Sequence, residues 1–154
     1  VDSLPFLPGA YLATAESMKD QATSFRAMVG SMQGEAWVSY QKANPAMKSM
    51  ITSEADAALA TEWGIRSDPK TVATAMFELF QTDLRPVLKQ IDAPVLVLAA
   101  LKSASTVALE TYKTQFAALK DHCIVPFADA RHFTMFDAPA RMFERIESFL
   151  KGII

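Results

Sequence analysis

Two imidazoles, one thiol and 17 carboxylates make up the proton-transfer and metal-binding repertoire of this 154-residue chain. His132 has the most suggestive setting. It lies in Phe127-Ala-Asp-Ala-Arg-His-Phe-Thr-Met-Phe-Asp-Ala-Pro139, after a short apolar run and before an amphipathic pattern. That order places it on a loop at the end of a strand, where an α/β sheet presents its chemistry. An imidazole in such a place suits a general base that takes a proton from a serine hydroxyl. Yet no G-x-S-x-G nucleophile elbow occurs in the sequence. Gly30-Ser-Met-Gln-Gly34 has the wrong spacing and interrupts a helical stripe, so it reads as a frayed or kinked helix. Ser103 and Ser105 follow a strand without flanking glycines and read as turn or cap residues.

The remaining candidates are weaker. His122 precedes a strand, at the end opposite to the expected site, and reads as a surface residue. Asp129 reads as a turn former and Arg131 as a solvated cation. Cys123 lies in an apolar run and reads as a buried, inert thiol. His122, Cys123 and His132 lack the paired spacing of a zinc site. No Walker sequence or dinucleotide fingerprint is present, so neither metal nor cofactor is expected.

The elements that must position His132 follow from hydrophobic period and punctuation. Met18, Ala22, Phe25, Val29 and Met32 recur at helical spacing, predicting a helix from about Thr14 to Met32. Shorter helices are predicted around residues 46–51 and 54–63, the second stopped at Gly64. Asp68-Pro69 starts another, with Val72, Met76, Leu79 and Phe80 on one face. Residues 93–100 form a continuously apolar strand, as in a parallel sheet covered on both faces. A helix striped by Leu109, Tyr112, Phe116 and Leu119 leads to a second strand at residues 124–128. After the His132 loop, Asp137 is expected to cap a last helix that buries Met142, Phe143, Ile146, Phe149 and Leu150.

Composition narrows the partners. A formal net charge of −2, with scattered cations, gives no nucleic-acid footprint. No apolar run approaches the ~20 residues of a membrane span. The lone cysteine fits a reducing, cytoplasmic compartment. Val1 reads as an internal position of a longer chain, or as the product of processing or truncation.

Asp83-Leu-Arg-Pro-Val-Leu-Lys-Gln-Ile-Asp-Ala-Pro-Val-Leu-Val-Leu-Ala99 resembles the segment that leads from the cap into a late core strand of the α/β-hydrolases. Ala130-Arg-His-Phe-Thr-Met-Phe-Asp-Ala-Pro139 resembles that family's histidine loop, and Val1-Asp-Ser-Leu-Pro-Phe the strand before the cap. The resemblance covers nearly the whole chain but only the C-terminal half of the family's fold. It implies a core strand end and loop at 1–11, a helical cap at 12–82 and a C-terminal α/β core segment at 83–154. It makes His132 the general base. The acid normally follows the strand at Val95–Ala100, but Leu101-Lys-Ser-Ala-Ser-Thr has no carboxylate. Some members place the acid one strand earlier, near Asp2, which becomes the first candidate, with Glu110 second.

The expectation is therefore an α/β fold: the C-terminal portion of an α/β-hydrolase sheet with a helical cap, completed by a companion N-terminal chain or a second copy. Hydrolysis of a small apolar acyl substrate would need a nucleophile from elsewhere, and this chain alone would be inactive. Met28, Met32, Trp37, Met76 and Phe133 are the expected substrate-facing residues. The alternative is a noncatalytic truncated hydrolase that self-associates or holds an apolar ligand.

Overall fold

In the computed structural model, residues 4–102 and 108–153 are described; Asp2, Ser103 and Ser105 lie outside them. The order is a 3₁₀ turn at Leu7–Tyr11, then α1 (Ala15–Gly30), α2 (Gly34–Ala43), α3 (Ala46–Met50), α4 (Glu54–Arg66) and α5 (Pro69–Gln81). A second 3₁₀ turn at Arg85–Gln90 leads into β1 (Val95–Ala100), α6 (Leu109–Phe116), β2 (His122–Phe127), α7 (Thr134–Asp137) and α8 (Pro139–Leu150). The chain divides into two compact units, Val1–Pro45 with Leu59–Pro86, and Ala46–Ala58 with Val87–Ile154.

The first unit is built on the packing of α1 against α5. A reciprocal cap starts α1: Ser17 N–H donates to Thr14 Oγ1 at 3.0 Å, and Thr14 N–H donates to Ser17 Oγ at 3.0 Å. Asp68 caps α5 by accepting from the Thr71 amide at 2.7 Å, and Pro69 pre-sets the first helical φ. Val29, Trp37 and Ala73 form the buried cluster, flanked by Phe25, Met32, Tyr40 and Val72. The Gln81 side chain closes the far end by donating to the Ala15 carbonyl at 3.0 Å.

Three sequence expectations shift here. α1 stops at Gly30 rather than Met32, with the Ser31 hydroxyl donating to the Met28 carbonyl at 2.9 Å. Gly34, with φ +51°, begins a further helix that the sequence reading missed. α4 runs through Gly64 to Arg66, because an interior glycine costs a helix only roughly 1 kcal/mol.

The second unit holds the sheet. β1 and β2 pair in parallel, from Val95 opposite His122 to Ala100 opposite Phe127. Val97, Ala99 and Phe127 are its buried members. β2 thus begins earlier than expected and takes His122 as its first residue, half-buried rather than a surface residue ahead of the strand. α6 packs near β2 and α8 near β1. Arg141 of α8 lies over the Phe127 ring at 4.4 Å, donates to the Pro126 carbonyl at 2.8 Å and pairs with Asp129 at 2.8 Å. That clip fixes the first turn of α8 to the end of β2. Phe143 and Leu150 do not join the buried side of α8 as expected: they are 57% and 77% exposed.

Candidate functional site

The carboxyl ends of both strands are laced together. Leu101 N–H donates to the Phe127 carbonyl at 2.9 Å, and Lys102 N–H to the Ala130 carbonyl at 3.1 Å. Ala130 is fully buried beneath this lacing, and His132 follows two residues later on the exposed turn before α7. The imidazole meets the Phe133 ring edge-on, with centroids 4.9 Å apart and planes at 77°. Phe133, half-buried, continues the contact to Phe136 at 6.2 Å. Tyr112 of α6 donates to the Ala100 carbonyl at 3.4 Å, and burial pushes its phenol up, keeping it protonated.

The turn is held by Asp137 and Arg131. Asp137 Oδ1 accepts from the Thr52 amide at 2.8 Å; Oδ2 accepts from the Thr52 hydroxyl and the Arg131 amide, each at 2.8 Å. Arg131 Nη1 donates to the Lys48 carbonyl at 2.7 Å and the Ile51 carbonyl at 3.0 Å. Phe133 N–H donates to the Met50 carbonyl at 3.3 Å. The carbonyls left open where α3 ends thus find donors on both sides of His132. Partial burial pushes the Asp137 carboxyl up, but the Arg131 and Thr52 amides, the Thr52 hydroxyl and the Lys102 charge outweigh it and hold it below the ordinary aspartate value.

Two readings of the sequence are corrected by this geometry. Asp137 does not cap α8; the N-cap is Ala138, without a side-chain bond. Arg131 is not a merely solvated cation, because it satisfies helix-end carbonyls. Asp129, read as a turn former, stands in the turn after β2 and pairs with Arg141. The signal that a closer reading would have needed was the spacing of Arg131, Asp137 and Thr52, which brackets the histidine only after folding.

The other candidates are placed as follows. Asp2 lies outside the described residues. Glu110 pairs with Lys113 at 3.2 Å in the first turn of α6. In the first unit, Trp37 is buried and stacks on Tyr40 at 5.8 Å, Met32 packs beside it, Met76 is half-buried, and Met28 is exposed. Met32 and Trp37 line a cavity of about 330 Å³ shared with Gln33, Asp68 and Lys70. Among the described residues, no group of three or more His, Cys, Asp or Glu side chains is placed to hold a metal ion. Among them, too, no helix is long and apolar enough to cross a membrane.

No family model and no curated protein matches the sequence. Solved structures do match. MenH from S. aureus is 17% identical, with a TM-score of 0.72 over 90% of this chain and 53% of that one. The esterase EaEST from Exiguobacterium antarcticum is 15% identical, with a TM-score of 0.68 over 86% and 48%. The enol-lactonase from Burkholderia xenovorans LB400 is 14% identical, with a TM-score of 0.60 over 97% and 75%. All three have the α/β-hydrolase fold. This chain therefore carries a portion of that fold: a small parallel sheet together with helices. It spans about half the length of the first two structures it matches.

Proposed function

We propose that this chain is the histidine-bearing portion of a serine hydrolase of the α/β-hydrolase type, acting on a carboxylic ester or a related acyl compound. The observation that carries the reading is His132, held on a tethered turn beyond the carboxyl end of β2. A serine from a segment outside these residues attacks the carbonyl, and His132 takes its proton. His132 then protonates the leaving group and activates water for deacylation. By the resemblance alone Asp2 is the proposed acid, and Phe133, beside His132, is proposed to contact the acyl group. Separately, within the first unit, Met28, Met32, Trp37 and Met76 are proposed as contacts for an apolar group. We assign the proposed hydrolase to the cytoplasm, a reducing compartment with which a single cysteine is compatible.

A second reading has its own support. Among the described residues β1 has a single strand partner, and α8 exposes Phe143 and Leu150. An open strand edge and an apolar helix face suit association with a second copy, without turnover.

Intact mass and denaturing electrophoresis show whether a companion chain travels with this one. A fluorophosphonate probe is expected to label that companion and not residues 1–154. The companion-loaded sample is expected to cleave a short-chain p-nitrophenyl ester, and His132→Ala to abolish cleavage. Full activity in His132→Ala rejects the base assignment; a sample of this chain alone that neither labels nor cleaves favours the second reading.

A further inference from the structure

We propose that Thr52, Asp137 and Arg131 form a clamp that sets the orientation of His132, making Asp137 and Arg131 positioning residues of the site. This rests on reading His132 as the general base. The clamp itself stands on geometry.

Both peptide neighbours of His132 are tethered to the same short stretch, residues 48–52. On one side, the Arg131 amide is bonded to Asp137 and its guanidinium bridges the Lys48 and Ile51 carbonyls. On the other, the Phe133 amide is bonded to the Met50 carbonyl. The backbone at His132 is thereby held at its two ends, and the Phe133 ring edge limits one side of the imidazole. A backbone held on both sides limits the directions open to the imidazole, and a general base needs a defined direction to meet a hydroxyl within hydrogen-bond reach.

The chemistry of the clamp asks for a carboxylate. Three donors converge on Asp137, one at Oδ1 and two at Oδ2. A carboxylate is acceptor-only at both oxygens. An asparagine of the same shape would turn its NH₂ toward at least one of those donors, leaving a donor facing a donor. Lys102 reinforces the arrangement: its Nζ lies 3.5 Å from Thr52 Oγ1 and its charge favours ionised Asp137.

The test is solution NMR on the 154-residue chain, in which there are two imidazoles. His122, at the start of β2, is the internal control. In the unaltered chain the Thr52 and Arg131 amide resonances are expected to titrate together, with one midpoint below the ordinary aspartate value. Asp137→Asn is expected to abolish that titration. The same variant should lose the single sharp ring line of His132, leaving the His122 ring and the β1 and β2 amides in place. Thr52→Ser, which keeps both donors, should retain the wild-type His132 signal, and Thr52→Val, which keeps only the amide, should shift it part of the way. A His132 ring unchanged in both Asp137→Asn and Thr52→Val, or Thr52 and Arg131 amides without a shared midpoint, overturns the proposal. If Asp137→Asn does not fold, Thr52→Val decides by the same signal. None of these readings uses a substrate. Failure of ester cleavage with an intact His132 response therefore counts against the hydrolase reading and not against the clamp.

Discussion

Asp137 shows how one carboxylate can hold a loop without belonging to any helix cap. Its proton is bound less readily in the folded chain than in the unfolded one, because burial is outweighed by three hydrogen bonds and a nearby cation. The sign follows: its contribution to stability is complete above the ordinary aspartate range and is lost as pH falls through the lower, folded value. Urea unfolding between pH 7 and pH 3 is expected to show a falling midpoint across that window. Asp137→Asn should flatten part of this acid limb. The rest should remain, because Asp83 is also held low by the Arg85 guanidinium, and Asp68 by the Thr71 hydroxyl and amide. An acid limb identical in Asp137→Asn would show that the carboxylate contributes nothing. At Phe127, fully buried beneath Arg141, truncation to alanine is expected to cost about 3–5 kcal/mol, read from the same unfolding curves.

The α1–α5 pair depends on small residues at the crossing. A Cβ placed on Gly30 would meet Ala73 Cβ at 3.6 Å and Lys70 Cα at 3.9 Å, ordinary contact distances, and Gly30 does not require a positive φ. Gly30→Ala is therefore expected to stabilise by roughly 0.4–1 kcal/mol, by limiting the unfolded chain. Ala73 has no exposed surface, so Ala73→Leu should overpack the crossing and cost about 1–3 kcal/mol. Opposite signs from two substitutions at one contact make a sharp check by thermal unfolding; a destabilising Gly30→Ala would refute the packing argument. The start of α5 was readable from its Asp68-Pro69 cap, and α1 from its apolar stripe, whereas the reciprocal Thr14–Ser17 cap emerged only in the structure. α2 was missed because it opens on a glycine with no side-chain cap, and its two aromatics, Trp37 and Tyr40, make too short a stripe to register.

For the molecule as a whole, the apolar face of α8 and the strand edge of β1 bear on assembly. Phe143, Leu150 and Ile153 are all more than half exposed, an arrangement that marks association surfaces when such residues are contiguous. Phe143→Ser with Leu150→Glu is expected to leave far-UV circular dichroism unchanged, since exposed positions contribute little to folding. The pair should reduce concentration-dependent association in sedimentation velocity. Association of the unaltered chain that survives both changes would place the contact elsewhere.

The amino-acid order alone marked the apolar strand at β1, the helical stripes and the setting of His132, because burial on both sheet faces and the 3.6-residue period leave their imprint locally. It also exposed the lack of a nucleophile elbow and of a carboxylate in residues 101–106. It did not reveal that Thr52 meets Asp137 across 85 positions, or that Arg131 meets Lys48 across 83. Those contacts use ordinary polar residues whose meaning depends on which backbone groups folding leaves open nearby. Only the tertiary structure supplies the α3 carbonyls and the Thr52 donors, and with them the tethers on the turn that carries His132.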